Sequence, residues 1–245
     1  MPTPHVLPCL ALVAAALVGC SNGEPPPSPT SPARSAPQLP TSSPRLDIEA
    51  ERAAVREVFL GYRRAITAQQ GEVAFQHTSA KTIDHFESVR VAALEMPETK
   101  LRAAPLMDKI MILSLRARLT RAQLEGSTGK ELFVMGIDRG WTGDDVAQLE
   151  PAEIRIDGDT ARIGIRKGDI VLPSAAGFRA HREGSVWKLD VMSIQRFAEP
   201  TLRKAIQEID PDEDKAITQA VALLTEKKVG PEIWQPLRQP ASDKR

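Results

Sequence analysis

The stretch IRIDGDTARIGI, residues 154–165, alternates apolar and polar residues on both sides of an Asp-Gly pair. Alternation with a period of two is typical of a β-strand with one buried face, and Asp-Gly is a strong signal for a tight hairpin turn. The alternation returns near residue 178, and residues 186–191 form a further apolar segment after a Glu-Gly turn. We therefore predict three or four antiparallel strands within residues 152–192.

The residues on both sides of this region follow a helical pattern. Apolar side chains recur every three or four positions in residues 46–66, 79–96 and 105–119. Thr128 and Glu131 have the spacing of a capping box and predict the start of a shorter helix. The same helical periodicity returns in two segments after the predicted strands.

The predicted fold class is α+β, with N-terminal helices packed on a curved antiparallel sheet of three or four strands and followed by a C-terminal helix pair. The helices occupy residues 46–140 and 194–228. Together with the strands they form a single predicted domain at residues 46–234, followed by a loose tail at residues 235–245. The hydrophobic fraction of 42% supplies enough apolar material for an ordinary core.

The chain begins with an apolar run at residues 6–17. Its end, Leu17–Cys20 with the sequence LVGC, resembles the lipobox of bacterial lipoproteins, although no Lys or Arg precedes the run. The resemblance implies that residues 1–19 are a removed signal peptide and that lipid on Cys20 anchors the protein to a membrane. With Ser21 next, it favours the periplasmic face of the outer membrane. The alternatives are a secretory signal cut without lipidation and a buried apolar helix.

Composition restricts the functions that the rest of the chain can have. Residues 20–45 are rich in Pro and Ser, which predicts a disordered, semi-rigid tether. The chain has 32 basic and 32 acidic residues and a formal net charge of zero, which argues against a nucleic-acid partner. Its two cysteines are Cys9, in the predicted signal peptide, and Cys20. The mature protein is therefore expected to have no free thiol for a disulfide, a nucleophile or a metal site.

The sequence predicts no metal and no other cofactor. None of the four histidines forms a close pair of the kind that binds zinc. The segment 210–214 imitates the start of a calcium loop, but Lys215 and Val221 stand where that loop needs Gly and Glu. We interpret Asp210 instead as the cap of the last predicted helix.

The order of helices and strands, together with two short motifs, resembles the SnoaL-like and nuclear transport factor two-like superfamily. The motifs are residues 158–161 at a hairpin and residues 183–190, EGSVWKLD, in the last strand. The resemblance implies a cone-shaped cavity between the sheet and the first helices. Members of the superfamily include isomerases, cyclases and binding modules without catalysis, so the fold does not decide the function.

The superfamily's enzymes place a tyrosine and carboxylates around such a cavity. The corresponding acid/base candidates are Tyr62, Asp84, His85 and Asp190, which would need to lie within hydrogen-bond reach of one substrate. In the structural alternative, Tyr62 belongs to the core, His85 lies at a helix surface and Asp190 points outward from the last strand.

Basic residues occupy the polar positions of the predicted strands. If this basic face lines a concavity, it would bind a carboxylated or phosphorylated molecule of the cell envelope through the arginine side chains. If it faces water, it is a solvated surface, and this is the reading that we favour. The residues are Arg155, Arg162, Arg166, Arg179, His181 and Lys188.

Three hypotheses for function follow. The one we favour is a membrane-anchored envelope lipoprotein whose domain binds a small anionic ligand or an envelope protein without catalysis. The second is an isomerase or cyclase that uses the acid/base candidates. The third is a carrier of an amphipathic ligand, which would need the cavity but no proton transfer.

Overall fold

The computed structural model describes residues 48–141, 146–173 and 176–237. It confirms the predicted α+β class: helices pack with an antiparallel sheet, and two helices follow the last strand. The predicted lipobox, the tether and residues 238–245 of the predicted tail lie outside the described residues.

Along the chain, the α-helices of the described part lie before and after the strands. Before the sheet lie α1 (Ile48–Thr67), α2 (Gly71–His77), α3 (Ala80–Glu95), α4 (Glu98–Arg102), α5 (Leu106–Arg118), α6 (Arg121–Glu125) and α7 (Gly129–Asp138). After it come α8 (Gln195–Ile209) and α9 (Glu213–Thr225).

Local sequence signals account for several helix starts. The side chain of Ser79 accepts a hydrogen bond from the backbone of Thr82 and caps α3. The capping box predicted at Thr128 and Glu131 is present at the start of α7. The last helix differs from the prediction, because Asp212 rather than Asp210 caps α9 through the backbone nitrogens of its first turn.

Gly71 follows the first predicted helical segment, where a glycine would ordinarily be interpreted as a helix stop, but the structure gives it another role. Helix α1 ends at Thr67, and the residue with positive φ in the following turn is Gln69. Gly71 begins α2, where a Cβ atom would lie 2.5 Å from the carbonyl oxygen of Val134 in α7. The glycine is therefore needed for the close approach of two helices and not for a helix stop.

The sheet is an antiparallel meander. Its strands are β1 (Leu149–Asp157), β2 (Thr160–Lys167), β3 (Ile170–Val171), β4 (Phe178–Glu183) and β5 (Val186–Asp190). Their order is β1-β2-β4-β5, and the two-residue β3 pairs with the end of β2. A β-bulge interrupts β1 between Pro151 and Ile154. Such a bulge bends a strand and increases its twist.

Other parts of the chain cover both edges of the sheet. On β1, Arg63 of α1 donates a hydrogen bond to the carbonyl of Leu149 (2.9 Å), and Arg56 donates to that of Pro151 (3.1 Å). At the other edge, Thr78, which lies between α2 and α3, forms a parallel β-bridge to Leu189 of β5. Occupied edges hinder pairing with strands of other molecules.

Two hydrophobic clusters stabilise the domain. The first lies between the inner face of the sheet and α1, where Phe59 and Phe178 pack with ring centroids 5.5 Å apart. The second joins α3, α5, α8 and α9 with Trp234, which is 2% exposed. Helix α7 contributes to both, through Phe133 in the first cluster and Leu132 in the second. Shared packing of this kind joins the sheet and the helices into one core.

An ion-pair network joins the start of α1 to the last two strands. Glu51 accepts hydrogen bonds from the indole nitrogen of Trp187 (2.6 Å) and from Arg182 (2.7 Å), and the Arg182 guanidinium lies over the Trp187 ring. Both hydrogen bonds lower the pKa of the Glu51 carboxyl, and the bond from Arg182 has the larger effect. The network fixes where α1 begins on the sheet.

Candidate functional site

The outer face of the sheet, opposite α1 and the first hydrophobic cluster, has one row of charged residues that crosses four strands. Arg155 pairs with Arg162, Arg162 with Arg179, and Arg179 with Asp190 as direct cross-strand neighbours. Direct neighbours point to the same side of a sheet. Register therefore brings three arginines and one aspartate into a single line.

All six basic residues predicted from the sequence lie on this outer face. Arg155, Arg162, Arg166 and Arg179 are exposed, whereas His181 and Lys188 are partly buried. Lys188 donates a hydrogen bond to the carbonyl of Gln76, in α2. The exposure of the arginines agrees with an open, solvated surface.

Two of the exposed arginines have carboxylate partners. Arg155 forms two hydrogen bonds of 2.8 Å with Glu153, which lower the pKa of the Glu153 carboxyl. Arg166 donates to Glu150 at 2.6 Å. The basic pattern in the sequence did not single out Glu150, because the bulge in β1 shifts its register. The outer face is thus less basic than the pattern indicated.

Arg162 and Arg179 differ from the other two arginines. Both are exposed, they are direct neighbours on adjacent strands, and neither guanidinium has a hydrogen bond or ion pair with any described residue. Like charges in directly opposite positions repel each other and destabilise a sheet. We call these two residues the arginine pair; an anion bound between them would relieve the repulsion.

Asp190, at the end of the same row, lies on the outer face, opposite Trp187 and Leu189, but it is buried there. Its side chain is 1% exposed because the start of α3 covers it. One carboxylate oxygen, Oδ2, accepts a hydrogen bond from Lys81 of α3 at 3.0 Å and lies 3.5 Å from Nε2 of His181. The other oxygen, Oδ1, is buried and has no hydrogen-bond partner among the described residues.

The structure does not bring the four acid/base candidates together. Tyr62 is buried in the first hydrophobic cluster, on the inner side of the sheet, and burial raises the pKa of its hydroxyl. Asp190 belongs to the outer face. Asp84 is exposed on α3, and His85 lies 3.5 Å from Asp108 at the contact of α3 with α5. Tyr62 and Asp190 cannot reach one substrate from opposite sides of a packed sheet.

Two shallow clefts open elsewhere on the surface. One lies between α2 and α7, and its carboxylates already serve the fold: Asp138 accepts from the backbone of Gly71, and Glu131 belongs to the capping box. The other lies between α1 and the bulge of β1 and is lined mainly by charged residues. Neither contains the arginine pair or an acid/base candidate.

The described part of the chain lacks two features that would indicate a metal site or a membrane span. It contains no cluster of three or more His, Cys, Asp or Glu side chains arranged to hold a metal ion. No helix within residues 48–141, 146–173 and 176–237 is long and apolar enough to cross a membrane.

In comparisons with known proteins, no family model, curated protein or solved structure matches this chain.

Proposed function

We propose that the protein is a lipid-anchored lipoprotein of the cell envelope whose domain binds a small anionic ligand without catalysis. The LVGC motif that ends at Cys20 supports the anchor. The tether would then hold the domain up to several tens of Å from the membrane, at about 3 Å per residue in an extended polyproline conformation. The outer face of the sheet would be free to meet a ligand.

The observation that carries the binding proposal is the arginine pair. Arg162 and Arg179 lie side by side on adjacent strands, exposed and without a carboxylate partner among the described residues, while Arg155 and Arg166 pair with Glu153 and Glu150. Each guanidinium offers a planar set of donors that fits a carboxylate or a phosphate. A ligand with two anionic groups, or one phosphate, would satisfy both side chains.

The acid/base hypothesis has less support than binding. It needs Tyr62 and Asp190 around one cavity, and these residues lie on opposite sides of the sheet. The carrier hypothesis needs an enclosed apolar space, and the region between the sheet and α1 is filled by side chains of the first hydrophobic cluster.

The binding proposal predicts a difference between paired and unpaired arginines. Calorimetric titration of the mature chain with succinate and with pyrophosphate should show binding that the double variant Arg162→Gln/Arg179→Gln weakens by about tenfold or more, since bonds to charged groups contribute about 1.5–3 kcal/mol. The matched control is Arg155→Gln/Arg166→Gln, which removes the same two charges but leaves the arginine pair. Equal losses in the two double variants would indicate a general charge effect and contradict the site.

The anchor is tested separately by Cys20→Ser. We expect the wild-type chain to fractionate with membranes after cell lysis and the variant to move to the soluble fraction, because the serine hydroxyl does not accept the lipid that the lipobox resemblance implies. Mass spectrometry of the N-terminal peptide reports the lipid directly. An unmodified N-terminus at another residue would show that the signal is cut without lipidation.

A further inference from the structure

The unpaired oxygen of Asp190 needs an explanation beyond anion binding. A buried carboxylate oxygen without a hydrogen bond costs free energy, and native proteins satisfy most such atoms. Asp190 Oδ1 is buried and has no partner among the described residues, although Lys81 and His181 approach the other oxygen. The side chain therefore retains the capacity to accept a hydrogen bond from a cationic donor.

Asp190 directly follows the arginine pair in the row across the sheet. Arg162, Arg179 and Asp190 are consecutive cross-strand neighbours on β2, β4 and β5. Neighbouring strands lie about 4.8 Å apart, so the backbones of Asp190 and Arg179 are separated by about one strand spacing. A small molecule with opposite charges a few bonds apart spans this distance.

The ammonium group of Lys81 now contacts Asp190, and such a molecule would displace it. The Lys81 side chain is 67% exposed and its ammonium group is 3.0 Å from Asp190 Oδ2. Because the stem of a lysine is long and flexible, the ammonium group can swing into solvent without movement of the backbone. In the free protein it occupies the place that the ammonium group of a ligand would take.

We propose that the ligand is zwitterionic: an amino acid, or a similar small molecule, whose anionic group binds Arg162 and Arg179 while its primary ammonium group binds Asp190. That ammonium group, which has three donors, would replace Lys81 at Oδ2 and donate a further hydrogen bond to Oδ1. This inference rests on the proposed function and names the ligand class for the same site. Asp190 selects for the ammonium group, and the arginine pair holds the acid.

The test compares two molecules that differ by one ammonium group. Aspartate is succinate with an α-ammonium substituent, so their affinities for the mature chain isolate the contribution of that group. We expect aspartate to bind about tenfold more tightly than succinate, because its ammonium group would replace the Lys81 bond to Oδ2 and add one charge-assisted hydrogen bond to Oδ1. For a phosphate ligand, the corresponding comparison is between 2-aminoethyl phosphate and ethyl phosphate. Whichever zwitterion binds more tightly, aspartate or 2-aminoethyl phosphate, shows whether the arginine pair prefers a carboxylate or a phosphate.

Two variants assign the preference to Asp190. Asp190→Asn should abolish the advantage of aspartate over succinate and retain succinate binding; circular dichroism checks that it folds. Lys81→Met removes the competing ammonium group at an exposed position, and it should increase the ratio of the two affinities. A ratio that Lys81→Met leaves unchanged or lowers would overturn the proposal, even if Asp190→Asn does not fold.

The outcomes separate this inference from the proposed function. If succinate binds through the arginine pair but neither zwitterion binds more tightly than its acid, the ligand is a simple anion and only the zwitterion proposal fails. If the preference persists in Asp190→Asn, the ammonium group is recognised elsewhere and the proposal also fails. If none of the probes binds, both proposals fail.

Discussion

Replacing Arg116 by methionine should lower the free energy of unfolding by about 3–5 kcal/mol, which is among the largest effects expected of a single substitution. Arg116 lies in α5 and is 6% exposed. Methionine fills part of the space and donates no hydrogen bond, so each group that the guanidinium now contacts loses one hydrogen bond.

Those groups are backbone carbonyls from two separate segments. The guanidinium donates to Ala92, Ala93 and Met96 at the end of α3 with distances of 3.2, 2.9 and 2.7 Å. It also donates to Ile233 (3.2 Å) and Trp234 (2.7 Å). The last carbonyls of a helix have no partner within the helix, and a cation there interacts favourably with the helix dipole.

The charge of Arg116 persists in this environment. Burial lowers the pKa of the guanidinium to about 10, which still leaves it protonated at neutral pH. One positive group therefore ties α3, α5 and the C-terminal segment together.

Urea unfolding followed by circular dichroism measures the loss. Arg121→Met is the matched control, because Arg121 is exposed and its pair with Glu125 within one helix contributes little. Arg116→Lys keeps the charge but offers three donors instead of five, and it should fall between the two. A loss below about 1 kcal/mol in Arg116→Met would show that water or repacking replaces the guanidinium.

Replacing Gly129 by alanine should destabilise the protein by about 1–3 kcal/mol through overpacking. Gly129 is the first residue of α7 and packs against α3, where its backbone nitrogen donates to the Glu87 carboxylate at 2.7 Å. A Cβ atom at this position would lie 2.5 Å from the backbone nitrogen of Glu87. Since the obstacle is backbone, one helix has to move and the hydrogen bond is strained.

A second glycine in α7 provides a control for which we expect the opposite change in stability. Gly136 lies inside α7, and the nearest atom to a Cβ there is a Trp141 ring carbon at 3.9 Å, an ordinary contact. Gly136→Ala should therefore stabilise the protein by about 0.5–1 kcal/mol, because alanine loses less backbone entropy than glycine in a helix. Thermal unfolding of both variants tests the pair; equal effects would mean that the contact of Gly129 with α3 does not limit the spacing of the helices.

Sequence periodicity was sufficient for the longer helices and for the faces of the sheet, whereas the short helices α2, α4 and α6 were not predicted. The alternation in residues 154–165 assigned Ile163 to the core and Arg162 to the opposite face, and the register of the strands agrees. The capping signal at Thr128 located the start of α7. Such signals act within a few residues, so they can be read along the chain.

Predictions failed where a distant part of the chain competes with a local signal. Asp210 has a plausible capping position, yet the cap of α9 is two residues later, at Asp212, and the first helical residue Glu213 pairs with Lys109 of α5 and Arg203 of α8. Gly71 resembles a helix stop, but its role in the fold is to leave room for the backbone of α7. Tertiary contacts of this kind override local preferences of a fraction of a kcal/mol to about 1 kcal/mol.

Alternation along the strands is enough to place Arg155, Arg162, Arg179 and Asp190 on the polar side of a sheet, because side chains alternate with a period of two along any strand. Which of these side chains remain available to a ligand depends on contacts between distant elements. Glu150 reaches Arg166 through a bulge, and α3 buries Asp190 beneath Lys81, 109 residues away in the chain. Charge pairing and burial depend on how separate elements lie against each other, and no local pattern encodes that arrangement.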